Sequence, residues 1–179
     1  MPVEIVFETH SISEDNERGI ATGWLPGRLS ERGRGLAREL GVRRRDDGLA
    51  AVFTSDLARA VETAAIAFGG SPLPIRADPR LRECDYGELN GAPAAKLAPR
   101  SRFIALPYPG GESYRDVVER VRGFVGDLVG FEGRRVLVIG HSATRWALDQ
   151  LLAGSALEDL VDAPFDWQPG WLYRTGATT

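Results

Sequence analysis

The chain has 179 residues, 43% of them hydrophobic and 26% charged, with a formal net charge of −3 at pH 7. That length suits one domain spanning 1–179 with a proper core, and the composition excludes a disordered or fibrous chain. A slightly acidic chain has no general attraction for nucleic acid or an anionic membrane, so neither is expected as a partner. Any anionic ligand must be held by a local positive cluster.

In chain order, V-E-I-V-F-E-T-H (3–10) predicts a buried strand, and a polar loop follows. A helix is predicted over 30–40, with Ser30 as N-cap, a stripe of Leu36, Ala37 and Leu40, and Gly41 as its stop. The run Arg43, Arg44, Arg45, followed at once by Asp46 and Asp47, reads as a solvated face. A-A-V-F-T (50–54) predicts a second strand. Ser55 or Asp56 then caps a helix with Leu57, Val61, Ala64 and Phe68 on one side. Pro72 to Arg76 suggests a short strand, and L-R-E-C-D-Y-G-E-L-N-G (81–91) has too many turn formers to be regular.

The strongest periodicity follows P-G-G-E-S: Tyr114, Val117, Val118, Val121, Phe124, Val125 and Leu128 recur at helical intervals behind Ser113. R-V-L-V-I-G (135–140) is a fully buried strand. A helix from Ser142 to Ala153 comes next, with Ser142 as N-cap and Gly154 as stop. Trp167, Trp171 and Tyr173 suggest an edge strand whose aromatics pack on the sheet. Strands alternating with helices imply an α/β fold, a mainly parallel central sheet between two helical layers.

The single cysteine, Cys84, cannot form an internal disulfide, and no Cys/His spacing suggests structural zinc. No apolar run approaches the ~18 residues needed to span a bilayer, and the N-terminus enters a strand without a signal-peptide pattern. The expected location is the cytoplasm.

The only histidines, His10 and His141, each end a β-branched run. Ligands of α/β sheets gather at the carboxyl ends of strands, so two imidazoles distant in sequence are placed to face one pocket. Arg59 falls in the first turn of the helix after A-A-V-F-T, where its planar fork and the free amides of the helix start suit a phosphate.

Taken together, T-H-S-I-S-E-D-N (9–16), G-W-L-P-G-R-L-S-E-R-G (23–33), T-S-D-L-A-R-A-V-E-T-A (54–64), L-R-E-C-D-Y-G-E-L-N-G, P-G-G-E-S (109–113) and V-L-V-I-G-H-S (136–142) resemble the histidine phosphatase superfamily, the phosphoglycerate mutase-like group, over about residues 3 to 152. The resemblance implies a three-layer αβα sandwich and a phosphatase acting on a small phosphomonoester without cofactor or metal. It makes His10 the nucleophile that carries a phosphoryl group, Glu83 the general acid and base, and Arg59 and His141 the clamp on the phosphoryl oxygens. Asn16, Glu112 and Ser113 occupy family positions near the substrate, although as loop residues they equally suit turns or caps. Thr9, Ser11 and Ser142, flanking the two histidines, complete the expected substrate-binding set.

The chain departs from the family's R-H-G at both flanks of the nucleophile: Thr9 stands where Arg is usual and Ser11 where Gly is. Losing one charge-assisted bond to phosphate costs ~2–4 kcal/mol of transition-state stabilisation, about 10² to 10³ in rate. Arg18 and Arg145 are the candidates to replace the missing charge.

Several alternatives stay open. A non-catalytic or impaired phosphate-ester binder is consistent with Thr9 and Ser11. A phosphoglycerate mutase is disfavoured by the short stretch of about twenty residues between G-E-L-N-G and P-G-G-E-S. G-H-S-A-T (140–144) resembles a hydrolase nucleophile elbow, but no histidine follows His141 to serve a serine nucleophile. A metal site on the two histidines lacks further clustered ligands.

Overall fold

The computed structural model describes residues 1–176; the last three residues of the expected 1–179 domain lie outside the described residues. A five-stranded sheet has the order β4-β3-β6-β1-β7, built from β1 (Glu4–Thr9), β3 (Leu49–Thr54), β4 (Ile75–Ala77), β6 (Arg135–Gly140) and β7 (Trp171–Arg174). β4, β3, β6 and β1 run parallel, and β7 closes the edge antiparallel to β1. A two-stranded ribbon pairs β2 (Ile20–Ala21) with β5 (Ala92–Pro93).

Because successive side chains leave a strand on opposite faces, each buried strand feeds two cores. Val6, Val52, Leu137 and Ile139 pack under α2 (Glu31–Arg44) and α3 (Ala58–Phe68) with Leu40, Ala60, Ala64 and Phe68. Ile5, Phe7, Ala51, Phe53, Val136 and Val138 face α4 (Tyr114–Gly126) and α5 (Ser142–Ala153), where Val117, Val121, Phe124, Ala147 and Leu148 complete the larger core. This is the expected αβα sandwich. None of its helices is long and apolar enough to cross a membrane among the described residues.

Several local expectations are corrected. The polar loop after β1 contains α1 (Glu14–Arg18), started by a reciprocal cap between Ser13 and Asn16. Ser30 caps α2 as expected, but the helix runs through Gly41 to Arg44. Gly41 is a contact residue: a Cβ there would lie 2.3 Å from the Ala67 carbonyl oxygen of α3. The helix after β3 starts from Leu57, with the Ser55 hydroxyl accepting from the Leu57 amide, and Ala60 takes the inward place expected of Val61, which is 40% exposed. β4 is confined to Ile75–Ala77, since Pro72 and Pro74 bring no amide donor. His141, not Ser142, is the N-cap of α5. Ser113 caps α4 and Gly154 ends α5 at φ +75°, both as expected.

The basic run is not a solvated face. Arg43 and Arg44 both reach the Glu8 carboxylate, 1% exposed, at 3.1 and 2.9 Å. Glu8 leaves β1 on the α2 side, so the end of α2 closes an ion cluster that isolated reading of R-R-R-D-D does not reveal.

Replacing Gly41 by Ala raises intrinsic helix propensity by about 1 kcal/mol but drives a methyl into backbone that cannot rotate away. The clash dominates: Gly41→Ala is expected to lower stability by about 1–3 kcal/mol, read as a lower urea midpoint with unchanged slope.

Candidate active site

Strand register brings the histidines together. β1 and β6 are parallel neighbours whose last pair is Thr9 with Gly140, so His10 and His141 are the next residue on each strand. Their ring centroids lie 5.0 Å apart with planes at 52°. The His10 amide donates to the Gly140 carbonyl at 2.9 Å, carrying the pairing one residue past the sheet.

Hydrogen bonding then fixes both tautomers. His10 Nδ1 lies 2.7 Å from the Ser11 carbonyl oxygen, which only accepts, so Nδ1 carries the hydrogen and Nε2 keeps its lone pair. His141 Nδ1 lies 3.3 Å from a terminal nitrogen of Arg59, which only donates, so Nδ1 accepts and the hydrogen sits on Nε2. That Nε2 is buried without a partner. A donor left unmet in a buried site costs about 1–3 kcal/mol, and an anion in the cavity would satisfy it.

Burial, reinforced by the Arg59 charge, lowers the His10 pKa to about 3; burial, then Arg59 and His10, holds His141 well below its ordinary value. Both imidazoles are neutral at pH 7.

Arg59 is the second residue of α3 and is itself buried. It donates to the Leu25 and Gly23 carbonyls at 3.2 and 2.9 Å as well as to His141, so three of its five N–H groups are engaged and two remain free. Glu83, buried in the loop before α4, accepts at one oxygen, Oε1, from the amides of Cys84 (2.8 Å) and Ala143 (3.3 Å). Burial raises its pKa and outweighs the opposing pull of those amides and of Arg59. The arrangement holds one free imidazole lone pair, one unmet N–H, one pinned guanidinium and one carboxyl biased toward its protonated form.

These four side chains line one cavity of about 690 Å³, together with Thr9, Ser11, Asn16 and Ser142 of the expected set. Ser11 is tied to α2 and α3: its hydroxyl donates to the Gly33 carbonyl and its amide to the Thr63 hydroxyl. Gly33 admits this approach because a Cβ there would sit 1.8 Å from the Ile12 carbonyl oxygen. Asn16 also belongs to the cap of α1.

Glu112 and Ser113 do not line the cavity. Glu112 binds Arg120 through both oxygens and accepts from the Asp85 amide. Arg120 in turn donates to the Arg80, Arg82 and Glu83 carbonyls, so this pair braces the loop that carries Glu83. Ser113 is the cap of α4. Arg18 is exposed beside Asp15, and Arg145 pairs with Asp149 over the Trp171 ring; neither lines the cavity, and the expected compensation for Thr9 fails on both. The cations missed from sequence are Arg32, Arg43 and Arg100, and no local signal separates them from other surface arginines. Arg100 has its Nε buried without a partner. Trp171 and Tyr173 pack on the sheet as expected, through Phe7 and Asp149, whereas Trp167 lines the cavity with Phe165. Among the described residues no group of three or more His, Cys, Asp or Glu side chains is placed to hold a metal ion.

The sequence profile of the histidine phosphatase superfamily (branch 1) matches residues 5–168. The chain belongs to this superfamily. Among its relatives, a 2,3-bisphosphoglycerate-dependent phosphoglycerate mutase of Methylobacterium sp. (strain 4-46) is 35% identical, over 98% of this chain and 92% of that protein. Among solved structures, YhfR of Bacillus stearothermophilus superposes with a TM-score of 0.80 at 29% identity, covering 93% of this chain and 88% of that one. A mycobacterial glucosyl-3-phosphoglycerate phosphatase in complex with VO3 superposes with a TM-score of 0.75 at 31% identity, covering 89% and 84%. Superfamily members similar to this chain thus carry both mutase and phosphatase names. The short stretch before P-G-G-E-S does not separate them, because this chain spans nearly the whole length of a relative named as a mutase.

The buried imidazoles give stability a definite pH dependence. Between the ordinary value of 6.5 and about 3, the unfolded chain binds a proton at His10 that the folded chain does not, and His141 acts in the same direction. Their contribution is present above pH 6.5 and is lost as pH falls through that window. Glu83 has the opposite sign: its raised pKa favours the folded state at low pH, and that contribution fades as pH rises through the folded value. With two histidines against one carboxyl, the urea midpoint is expected to fall between pH 7 and pH 4, and His10→Asn to flatten the decline.

Proposed function

We propose that this superfamily member is a cytoplasmic phosphatase that hydrolyses a small phosphomonoester through a phosphohistidine on His10. The observation that supports this best is the pair of imidazole edges: a free lone pair on His10 Nε2 and, on the adjoining ring, a buried His141 Nε2–H without an acceptor. A nucleophile beside an unmet donor and a pinned guanidinium suits phosphoryl transfer, where catalysis is mostly positioning and charge stabilisation.

In the first half-reaction His10 Nε2 attacks phosphorus and the ester P–O bond breaks. Glu83 gives its proton to the leaving oxygen, so the alcohol departs neutral. The phosphorylated ring keeps its Nδ1 hydrogen on the Ser11 carbonyl, which stabilises the positive charge the imidazole gains. His141 Nε2–H and the two free N–H groups of Arg59 hold the phosphoryl oxygens. In the second half-reaction water attacks phosphorus, its proton goes to Glu83, and the N–P bond breaks to release inorganic phosphate and restore His10. Thr9 brings no charge to this clamp; of the remaining cavity-lining guanidiniums, Arg43 is paired with Glu8, whereas Arg32 and Arg100 make no ion pair among the described residues.

A mutase reading is favoured by the Methylobacterium relative, whose name states that reaction. The two readings share His10 and differ in whether water or a bound phosphoglycerate accepts the phosphoryl group.

Rapid-quench labelling with a radiolabelled phosphomonoester is expected to give an acid-labile, alkali-stable phosphoprotein with release of inorganic phosphate. His10→Ala should abolish the label, and retained turnover in that variant would exclude the phosphohistidine. Glu83→Gln is expected to lower turnover of alkyl esters by about 10² to 10⁴-fold, and much less for p-nitrophenyl phosphate, whose leaving group needs no proton. Net conversion of 3-phosphoglycerate to 2-phosphoglycerate in place of phosphate release would decide for the mutase. Phosphate binding without any turnover would decide for a non-catalytic binder.

A further inference from the structure

We propose that the alcohol part of the substrate is a bulky, flat apolar group and that Trp167 is the residue that selects it; this rests on the phosphatase reading above. The cavity extends well beyond the His10 end. Ile12, Leu36 and Leu40 line it from the α2 side, and Phe165 and Trp167 contribute aromatic rings from the segment before β7. These residues are 55% and 56% exposed, far more than the aromatics of the core, so apolar surface is available to a ligand. A volume of about 690 Å³ is several times the ~150 Å³ that accommodates benzene, leaving room for an aromatic body beside a phosphoryl group.

The Trp167 ring is also held in place. The Arg43 guanidinium lies 5.8 Å from its centroid, and Arg43 is anchored by the buried Glu8 carboxylate, two residues before His10. A cation on one face of an indole fixes the ring and leaves stacking surface for a planar group. Through Glu8 that surface is registered to the strand that carries His10.

The test compares 2-(1-naphthyl)ethyl phosphate, ethyl phosphate and 3-phosphoglycerate, all alkyl esters, so that leaving-group basicity does not drive the result. The naphthyl ester is expected to exceed both ethyl phosphate and 3-phosphoglycerate by at least about 10-fold in kcat/KM, chiefly through KM. Trp167→Ala should remove about 10-fold from the naphthyl ester while ethyl phosphate changes by less than about twofold, and Trp167→Phe should restore most of the loss. Equal use of all three esters, preference for 3-phosphoglycerate, or an equal effect of Trp167→Ala on large and small esters would overturn the inference while leaving a phosphatase in place. Absence of turnover on every ester, p-nitrophenyl phosphate included, would overturn the phosphatase reading and this one with it.

Discussion

The parallel pairing of β1 with β6 is the constraint from which the site follows. Each strand is buried on both faces, and a slip of one residue would exchange its two hydrophobic sets between the α2/α3 and α4/α5 layers. Packing of Val6, Leu137 and Ile139 on one side, and of Ile5, Phe7, Val136 and Val138 on the other, therefore holds Thr9 opposite Gly140. With that register fixed, two imidazoles separated by 131 positions in sequence have nowhere to go except against one another.

Arg59 converts this proximity into chemistry. Its terminal nitrogen sets the tautomer of His141, and its charge, together with burial, keeps both rings neutral. The desolvation of this buried guanidinium is offset in part by the Gly23 and Leu25 carbonyls, which accept two of its N–H groups. The same burial that suppresses charge on the histidines raises the Glu83 carboxyl, so one physical cause sets three protonation states.

Much of the polar machinery lies one step behind the cavity. Glu112 and Arg120 tie the Glu83 loop to α4, Ser11 is stitched to α2 and α3, and Glu8 gathers Arg43 and Arg44 beneath β1. Ion pairs of this kind contribute less to net stability than to geometry, because desolvation offsets most of the Coulombic gain. They give the loop-borne groups fixed partners on α2, α3 and α4.

Local patterning in the sequence determined the alternation of strands and helices, the caps at Ser30 and Ser113, the stop at Gly154, and the placing of His10 and His141 at strand ends. These features depend on residues within a few positions of one another, where periodicity and backbone propensity act directly. Motif order added the family, and with it Arg59 and Glu83. Only the tertiary structure decided that Glu112 braces a loop instead of lining the cavity, that Arg18 and Arg145 stand apart from it, and that Arg43 and Arg44 neutralise Glu8. It also decided that Gly41 is a helix contact and that Trp167 turns toward the cavity. Glu8 lies 35 and 36 positions from Arg43 and Arg44, and the carbonyls that Arg120 braces lie 37 to 40 positions from it; the reach of a long side chain or the close approach of two backbones depends on packing that no local pattern encodes.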